Sequence, residues 1–279
     1  MRLPGYKMVA MKPSTLLLIV VASCGICAQP PQRVPTRELQ QLLAKANGGD
    51  AEAQYDLGLK YGTGAGVPKS YTEEAAWMRK AADQGMVRAQ YALGMLYAGG
   101  QGVTKDAQEA AKWVGKAAEG GDPAAQTSFG LMYETGKGVK QDDSEAAKWY
   151  HKAIDSYRKA AEAGDPSAAT ALGNMYARGQ GVTGDYGEAV GWWRKAADTG
   201  YAGAQYNLGL AHMQGRGVPE DLVQAYVWLS LAASGPGEVQ ERRAKSRDAV
   251  AGQLTADQIA EGKRLVQEWK PKTAAPPQK

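Results

Sequence analysis

Residues Ala89 to Gly121 read AQYALGMLYAGGQGVTKDAQEAAKWVGKAAEGG. Two amphipathic segments flank a glycine-rich turn, and glycine closes the stretch. In the first segment Ala89, Leu93 and Tyr97 step by four. That spacing puts them on one stripe of a helix. The second segment carries Trp113 and runs through Lys-Ala-Ala to Gly121. Glycine there suits the left-handed residue on which many helices end. The stretch predicts a pair of short helices.

The pair recurs. Leu-Gly or Phe-Gly places glycine at Gly58, Gly94, Gly130, Gly173 and Gly209, in steps of 36, 36, 43 and 36 residues. A G-x-G-V turn begins at Gly64, Gly100, Gly136, Gly179 and Gly215, and tryptophan stands at Trp77, Trp113, Trp149, Trp192 and Trp228, with the same four steps. Three markers sharing one irregular period exclude coincidence, and a period of this length is the mark of stacked supersecondary units. The fold class that follows is all-α: a right-handed α/α solenoid of about five helix-pair repeats, capped by helices at both ends. The units are 50–85, 86–121, 122–164, 165–200 and 201–235.

Each unit has one grammar. Asp122-Pro123 and Asp165-Pro166 supply a capping carboxylate followed by a proline suited to the first helical position. With the recurrent glycine as position zero, Leu or Phe stands at −1, Tyr most often at +3 and Ala at −5. Glycine inside a helix costs up to about 1 kcal/mol relative to Ala. Its presence in all five units predicts close approach of a neighbouring helix. The tryptophans read as core, with a sugar-stacking platform as the alternative. The third unit is longer by seven residues, because Trp149–Asp155 is echoed by Ser156–Glu162. Seven residues are nearly two helical turns, so the second helix should lengthen by roughly 10 Å and could project as a spur.

The ends differ from the array. Thr36 can cap a helix to about Ala46, which makes 36–49 an N-terminal cap. Residues 236–270 are expected to hold closing helices, one over about Glu238–Gln253 and one from Thr255, where Thr255 and Gln258 form a capping box. Residues 271–279 read as a disordered tail.

Residues 1–28 carry Arg2, Lys7 and Lys12, no acid, and a short apolar run from Leu16 to Ala22. The run is short of the roughly 20 residues a spanning helix needs, so it reads as an export signal. Cleavage after Ala28 would leave a soluble chain, with 29–35 as a linker. Val21-Ala22-Ser23-Cys24 resembles a lipobox and would instead put a lipid on Cys24, the one membrane attachment expected. An uncleaved anchor is a third alternative. Export to the periplasm or beyond, or an outer-membrane lipoprotein, is the expected location. The only cysteines are Cys24 and Cys27. The formal charge is +4, but residues 29–279 hold 30 basic and 29 acidic side chains. That near-balance gives no electrostatic case for nucleic acid.

The units, A-x-Y-x-L-G-x-x-Y, then G-x-G-V, then A-x-x-W-x-x-K-A-A-x-x-G, resemble Sel1-like repeats, short-loop relatives of tetratricopeptide helix pairs. The match spans about Ala44 to Gly235. Thr127 and Thr170 depart from the first Tyr and His212 from the second. The resemblance implies a solenoid whose concave surface binds proteins or peptides, and it brings no catalytic motif. Cysteine-rich exported relatives are linked to β-lactam binding; their paired cysteines are absent here.

Candidate chemistry is sparse. Gly62–Ser70 approximates a phosphate loop, but Pro68 stands where the final glycine is needed. Ser156-Tyr157-Arg158-Lys159 spells S-x-x-K without its partner motifs. The two histidines, His151 and His212, cannot form a cluster, and His212 is expected to be half-buried. Asp142, Asp143 and Glu145 read as a helix start. No cofactor or metal is called for. What varies between units is the row −2, +2 and +5 of the first helix: Asp56, Lys60 and Thr63; Ala92, Leu96 and Gly99; Ser128, Met132 and Thr135; Ala171, Met175 and Arg178; Asn207, Ala211 and Gln214. On a concave face this row would make a groove for an extended peptide. The expected function is a non-enzymatic envelope scaffold with a protein or peptide partner. A penicillin-binding or cell-wall-active enzyme and a carbohydrate-binding solenoid are the alternatives.

Overall fold

In the computed structural model residues 36–234 and 237–272 are described. They hold thirteen helices and no strand. Helix α1 (Arg37–Asn47) is followed by five pairs: α2 (Ala51–Thr63) with α3 (Tyr71–Asp83), α4 (Val87–Gly99) with α5 (Ala107–Glu119), α6 (Pro123–Thr135) with α7 (Asp143–Glu162), α8 (Pro166–Arg178) with α9 (Tyr186–Asp198), and α10 (Ala202–Gln214) with α11 (Leu222–Ala232). Helices α12 (Glu238–Ala251) and α13 (Ala256–Glu268) close the array. From α1 to α12 each helix packs on the next in sequence, α13 packs on α11, and small cores repeat along the chain in place of one large one. The architecture is an α/α solenoid. The signal segment, Cys24, the 29–35 linker and residues 273–279 lie outside the described residues.

Local chemistry sets the helix ends. Asp122 and Asp165 accept from the backbone N–H groups of Ala125 and Ala168, each with proline just inside the helix. Thr36 caps α1, and Thr255 with Gln258 forms the reciprocal box on α13. Such caps stabilise by about 1 kcal/mol each.

The helical glycines are where helices touch. A Cβ on Gly94 would lie 2.7 Å from Val114 Cγ2 and 3.1 Å from the Ala110 carbonyl oxygen. The neighbour twenty residues on always fills this space: Met78, Val114, Tyr150, Trp193 and Leu229. A second repeated contact was not anticipated. Buried Gln54, Gln90, Gln126 and Gln205 donate from Nε2 to the carbonyls of Ala46, Ala82, Ala118 and Ala197, 3.1–3.3 Å away. Those carbonyls lie in the last turn of the preceding helix and also accept from the N–H groups of Gly49, Gly85, Gly121 and Gly200, so each glutamine adds a second donor. Ala169 replaces this glutamine in the fourth pair.

Helix α7 has 20 residues where the other second helices have 11 or 13. The added length is not a spur. Ala153 and Ile154 are buried against Leu172 and Met175 of α8, and Tyr157 packs beside them. The insertion gives α7 two registers. Its start fits α6, with Tyr150 over Gly130. Its remainder fits the fourth pair: Gly181 of the next turn meets Tyr150, as Gly138 meets Ala107 and Gly217 meets Tyr186. Each of these partners lies 31 residues before its glycine. A heptad preserves the buried face, so both fits are met.

At the far end Gly262 of α13 packs on Tyr226, and Trp269 joins the core around Trp193 and Trp228. Lys272, at the start of the segment expected to be a disordered tail, is tied to the array, and the rest of that segment lies outside the described residues. The Lys272 backbone N–H donates to the Asp198 carbonyl at 2.7 Å, and its Nζ pairs with the Asp198 carboxylate at 2.7 Å.

Candidate partner-binding face

The first helices of successive pairs meet side by side. Tyr91 and Ser128 hydroxyls share a hydrogen bond of 3.0 Å between α4 and α6, and Asn207 Nδ2 donates to Asn174 Oδ1 at 2.9 Å between α10 and α8. The outward side of this layer is a surface of varying residues on repeated scaffolding.

The expected row is only partly on it. Asp56, Thr135, Arg178 and Gln214 are exposed, and Lys60, Ser128, Met132 and Asn207 are half-buried. Met175 is 2% exposed, packed in the core of α7 and α8, and lines only the smaller of the two cavities beside Arg178. Leu96 and Ala211, at the same +2 position, are buried as well. Position +2 lies seven residues from the buried alanine at −5, only about 20° around the helix from it. It therefore belongs to the packing stripe. Position +1 faces away from the core stripe, about 40° around the helix from +5. There stand Leu59, Met95 and Leu131, exposed by 40%, 46% and 45%, followed by Asn174 and Leu210. Large apolar residues opposite the core stripe were the available signal for this row.

In the fourth and fifth pairs the surface opens into a cavity of about 290 Å³ between α8 and α10. Arg178, Arg216, Asn174, Asn207 and Gln214 line it, with Trp193 and Ala211 beneath. A smaller cavity of about 120 Å³, lined by Tyr157 and Thr127, shares Asn174 and Arg178. Burial pushes the Tyr157 phenol up to about 12, so it is neutral at physiological pH.

The other candidates are occupied by structural tasks. Trp77, Trp113, Trp149 and Trp228 are at most 9% exposed and Trp192 is half-buried, so the recurrent tryptophans form no sugar platform. The lysine three residues after the tryptophan lies over the ring in four pairs, with Nζ of Lys80, Lys116, Lys152 and Lys195 3.6–4.2 Å from the ring centre. Ser156 Oγ donates to Gln126 Oε1 at 3.4 Å and Lys159 is exposed, so the S-x-x-K residues do not converge. Gly62–Ser70 is the end of α2, a turn and the Ser70 cap of α3. Asp142 caps α7, and Glu145 pairs with Lys148 at 2.6 Å.

His212 is more enclosed than expected, at 8% exposure. Its Nε2 faces Arg194 at 3.3 Å, in the place where Arg79 and Arg158 meet Tyr97 and Tyr176 hydroxyls. Burial first, and the Arg194 charge second, hold the imidazole below its ordinary 6.5. A depressed folded-state value means that the unfolded chain binds the proton more readily. The contribution is complete above about 6.5 and is lost as pH falls through the folded-state value. His212→Tyr should therefore narrow the drop in Tm between about pH 7.5 and about pH 5.5. An unchanged drop in thermal melts would contradict this assignment.

Two helices per unit, the glycine between them and the tryptophan behind form a repeat that can be compared with known ones. The Sel1 repeat family model matches residues 51–86, 87–122, 123–156, 157–165, 166–201 and 202–235. The chain belongs to the Sel1 repeat family. Sel1 repeats commonly mediate protein–protein interaction and generally carry no catalysis. A Sel1 repeat protein from Oxalobacter formigenes is 30% identical over 73% of this chain and 81% of its own, with a TM-score of 0.49. The protein c5321, described as a protective antigen of uropathogenic Escherichia coli strains with an SLR fold, is 23% identical over 85% of this chain and 88% of its own, with a TM-score of 0.42. Immunity protein Pa5087 from Pseudomonas aeruginosa is 22% identical over 78% and 83%, with a TM-score of 0.44. No curated protein shows a significant match. The break between matched segments at 156 and 157 falls at the start of the second heptad copy in α7.

Proposed function

We propose that this Sel1 repeat protein is a non-enzymatic scaffold of the cell envelope that holds a partner protein as an extended segment across α2, α4, α6, α8 and α10. The observation that carries the reading is the row Leu59, Met95 and Leu131. Three large apolar side chains stand at one repeat position, each at least 40% exposed. Covering each returns on the order of 1 kcal/mol. Repetition at a fixed period suits a partner that runs along the array. The basic, apolar and small-residue order of residues 1–28 supports export. The mass of the mature protein separates cleavage after Ala28 from a lipid on Cys24.

A photo-crosslinking residue at Met95 in cells tests the docking role, with the same residue at exposed Ala76 of α3 as control. A discrete adduct from position 95 and none from position 76 is expected. No adduct from 95, or the same adducts from both, would overturn the reading.

A further inference from the structure

We infer that the cavity between α8 and α10 is a carboxylate-binding site, and that it receives an Asp or Glu side chain of the docked partner segment. The inference rests on the docking role proposed above and names the chemistry at one end of it.

The face changes character at the fourth pair. Position +1 is Leu59, Met95 and Leu131 in the first three pairs and Asn174 in the fourth. Position +5 is Thr63, Gly99 and Thr135, then Arg178. The cavity that begins there holds two guanidinium groups, Arg178 and Arg216, with the amides of Asn174 and Asn207. No Asp or Glu lines it or the smaller cavity beside it. Within a chain of nearly balanced charge, this is a local excess of two positive charges, on two exposed arginines, over a floor of Trp193 and Ala211.

Asn174 and Arg216 are already oriented. Trp193 Nε1 donates to Asn174 Oδ1 at 3.1 Å. An indole N–H only donates, so it fixes which end of the Asn174 amide is the oxygen. Asn207 Nδ2 donates to the same oxygen at 2.9 Å. Both contacts leave the Asn174 NH₂ group turned away from them and without a partner among the described residues. Arg216 is held by the Tyr186 hydroxyl, which accepts from Nη1 at 3.1 Å, and by the Tyr186 ring beneath its guanidinium. Arg178 makes no ion pair or hydrogen bond among the described residues. A helix end alone does not account for it, since α4 and α6 have no basic residue in their last turns. Its planar fork matches the two oxygens of a carboxylate, with Asn174 NH₂ beside it as a third donor.

The test is selection of a random linear peptide library on the full chain, on Arg178→Gln and on Leu131→Ser. Arg178 has no bond to lose, so the first variant keeps the fold, which a thermal melt verifies. Peptides selected on the unaltered chain should be enriched in Asp or Glu. They should bind Arg178→Gln about tenfold more weakly and lose affinity steeply with added salt. Leu131→Ser should weaken them without erasing the acidic preference. Selected peptides with no acidic preference, or with one that survives Arg178→Gln, would overturn the carboxylate site and leave the docking role standing. Acidic peptides indifferent to Leu131→Ser would support the site and count against the apolar row. No enrichment on the unaltered chain would overturn both.

Discussion

Gly102→Ala is expected to destabilise the array by about 2–5 kcal/mol, while Gly66→Ala, the same change at the same turn position, costs only about 1–2 kcal/mol. Both glycines have positive φ, +69° and +81°. Both substitutions therefore pay the left-handed strain of an L-residue. They differ in what stands nearby. A Cβ on Gly102 would lie 1.9 Å from the Tyr71 carbonyl oxygen and 2.6 Å from the Thr72 backbone nitrogen. Backbone cannot rotate aside, so the second turn would have to lift from the first pair. A Cβ on Gly66 meets nothing within 4 Å, because no full pair precedes the first turn. In an array held by neighbour contacts, the Gly102 variant should also lose cooperativity. Urea melts should show a lower midpoint and a shallower slope for Gly102→Ala and a midpoint shift alone for Gly66→Ala. Equal losses would mean that turn conformation, not contact between pairs, governs this position.

Trp113→Ala should cost about 3–5 kcal/mol. The ring is 3% exposed and packs with Ala75 and Met78 of α3 and Leu93 and Leu96 of α4, so it joins the first and second pairs. Its Nε1 donates to Glu109 at 3.0 Å, and Arg79 reaches across from α3 to within 5.5 Å of the ring centre. Truncation opens a cavity at the joint and leaves the Arg79 and Lys116 charges without the ring. Chemical denaturation measures the loss. A cost below about 1 kcal/mol would place the ring outside the core and restore a surface role for the tryptophan series.

The core was legible because its constraints repeat. Gly94 could be read as a contact point from five copies of one costly glycine, and Val114 against it is the reason. Asp122, Asp165, Thr36 and Thr255 cap as their residue types dictate, since a cap needs only atoms a few residues away. The glutamine row escaped notice although it also repeats. Its partner is a carbonyl eight residues back in the preceding helix, and the pairing follows from the angle between helices.

The candidate face was legible less well. Arg178, Asn207 and Gln214 line the larger cavity, whereas Met175 is buried and lines only the smaller one. Variation marked the row, but variation occurs wherever packing tolerates it, and position +2 varies inside the core between Leu96, Met175 and Ala211.

By itself the sequence determined the helix pairs, their caps and the glycines that let them touch, because these follow from contacts within one repeat or at a fixed period. Only the tertiary structure decided which side of the first helices is free, that the seven added residues let α7 serve two registers instead of projecting as a spur, and that Arg178 and Arg216, 38 residues apart, share one cavity. Those outcomes depend on how one pair is turned against the next. That angle is set by side chains on four helices at once, and no single stretch of the chain carries it.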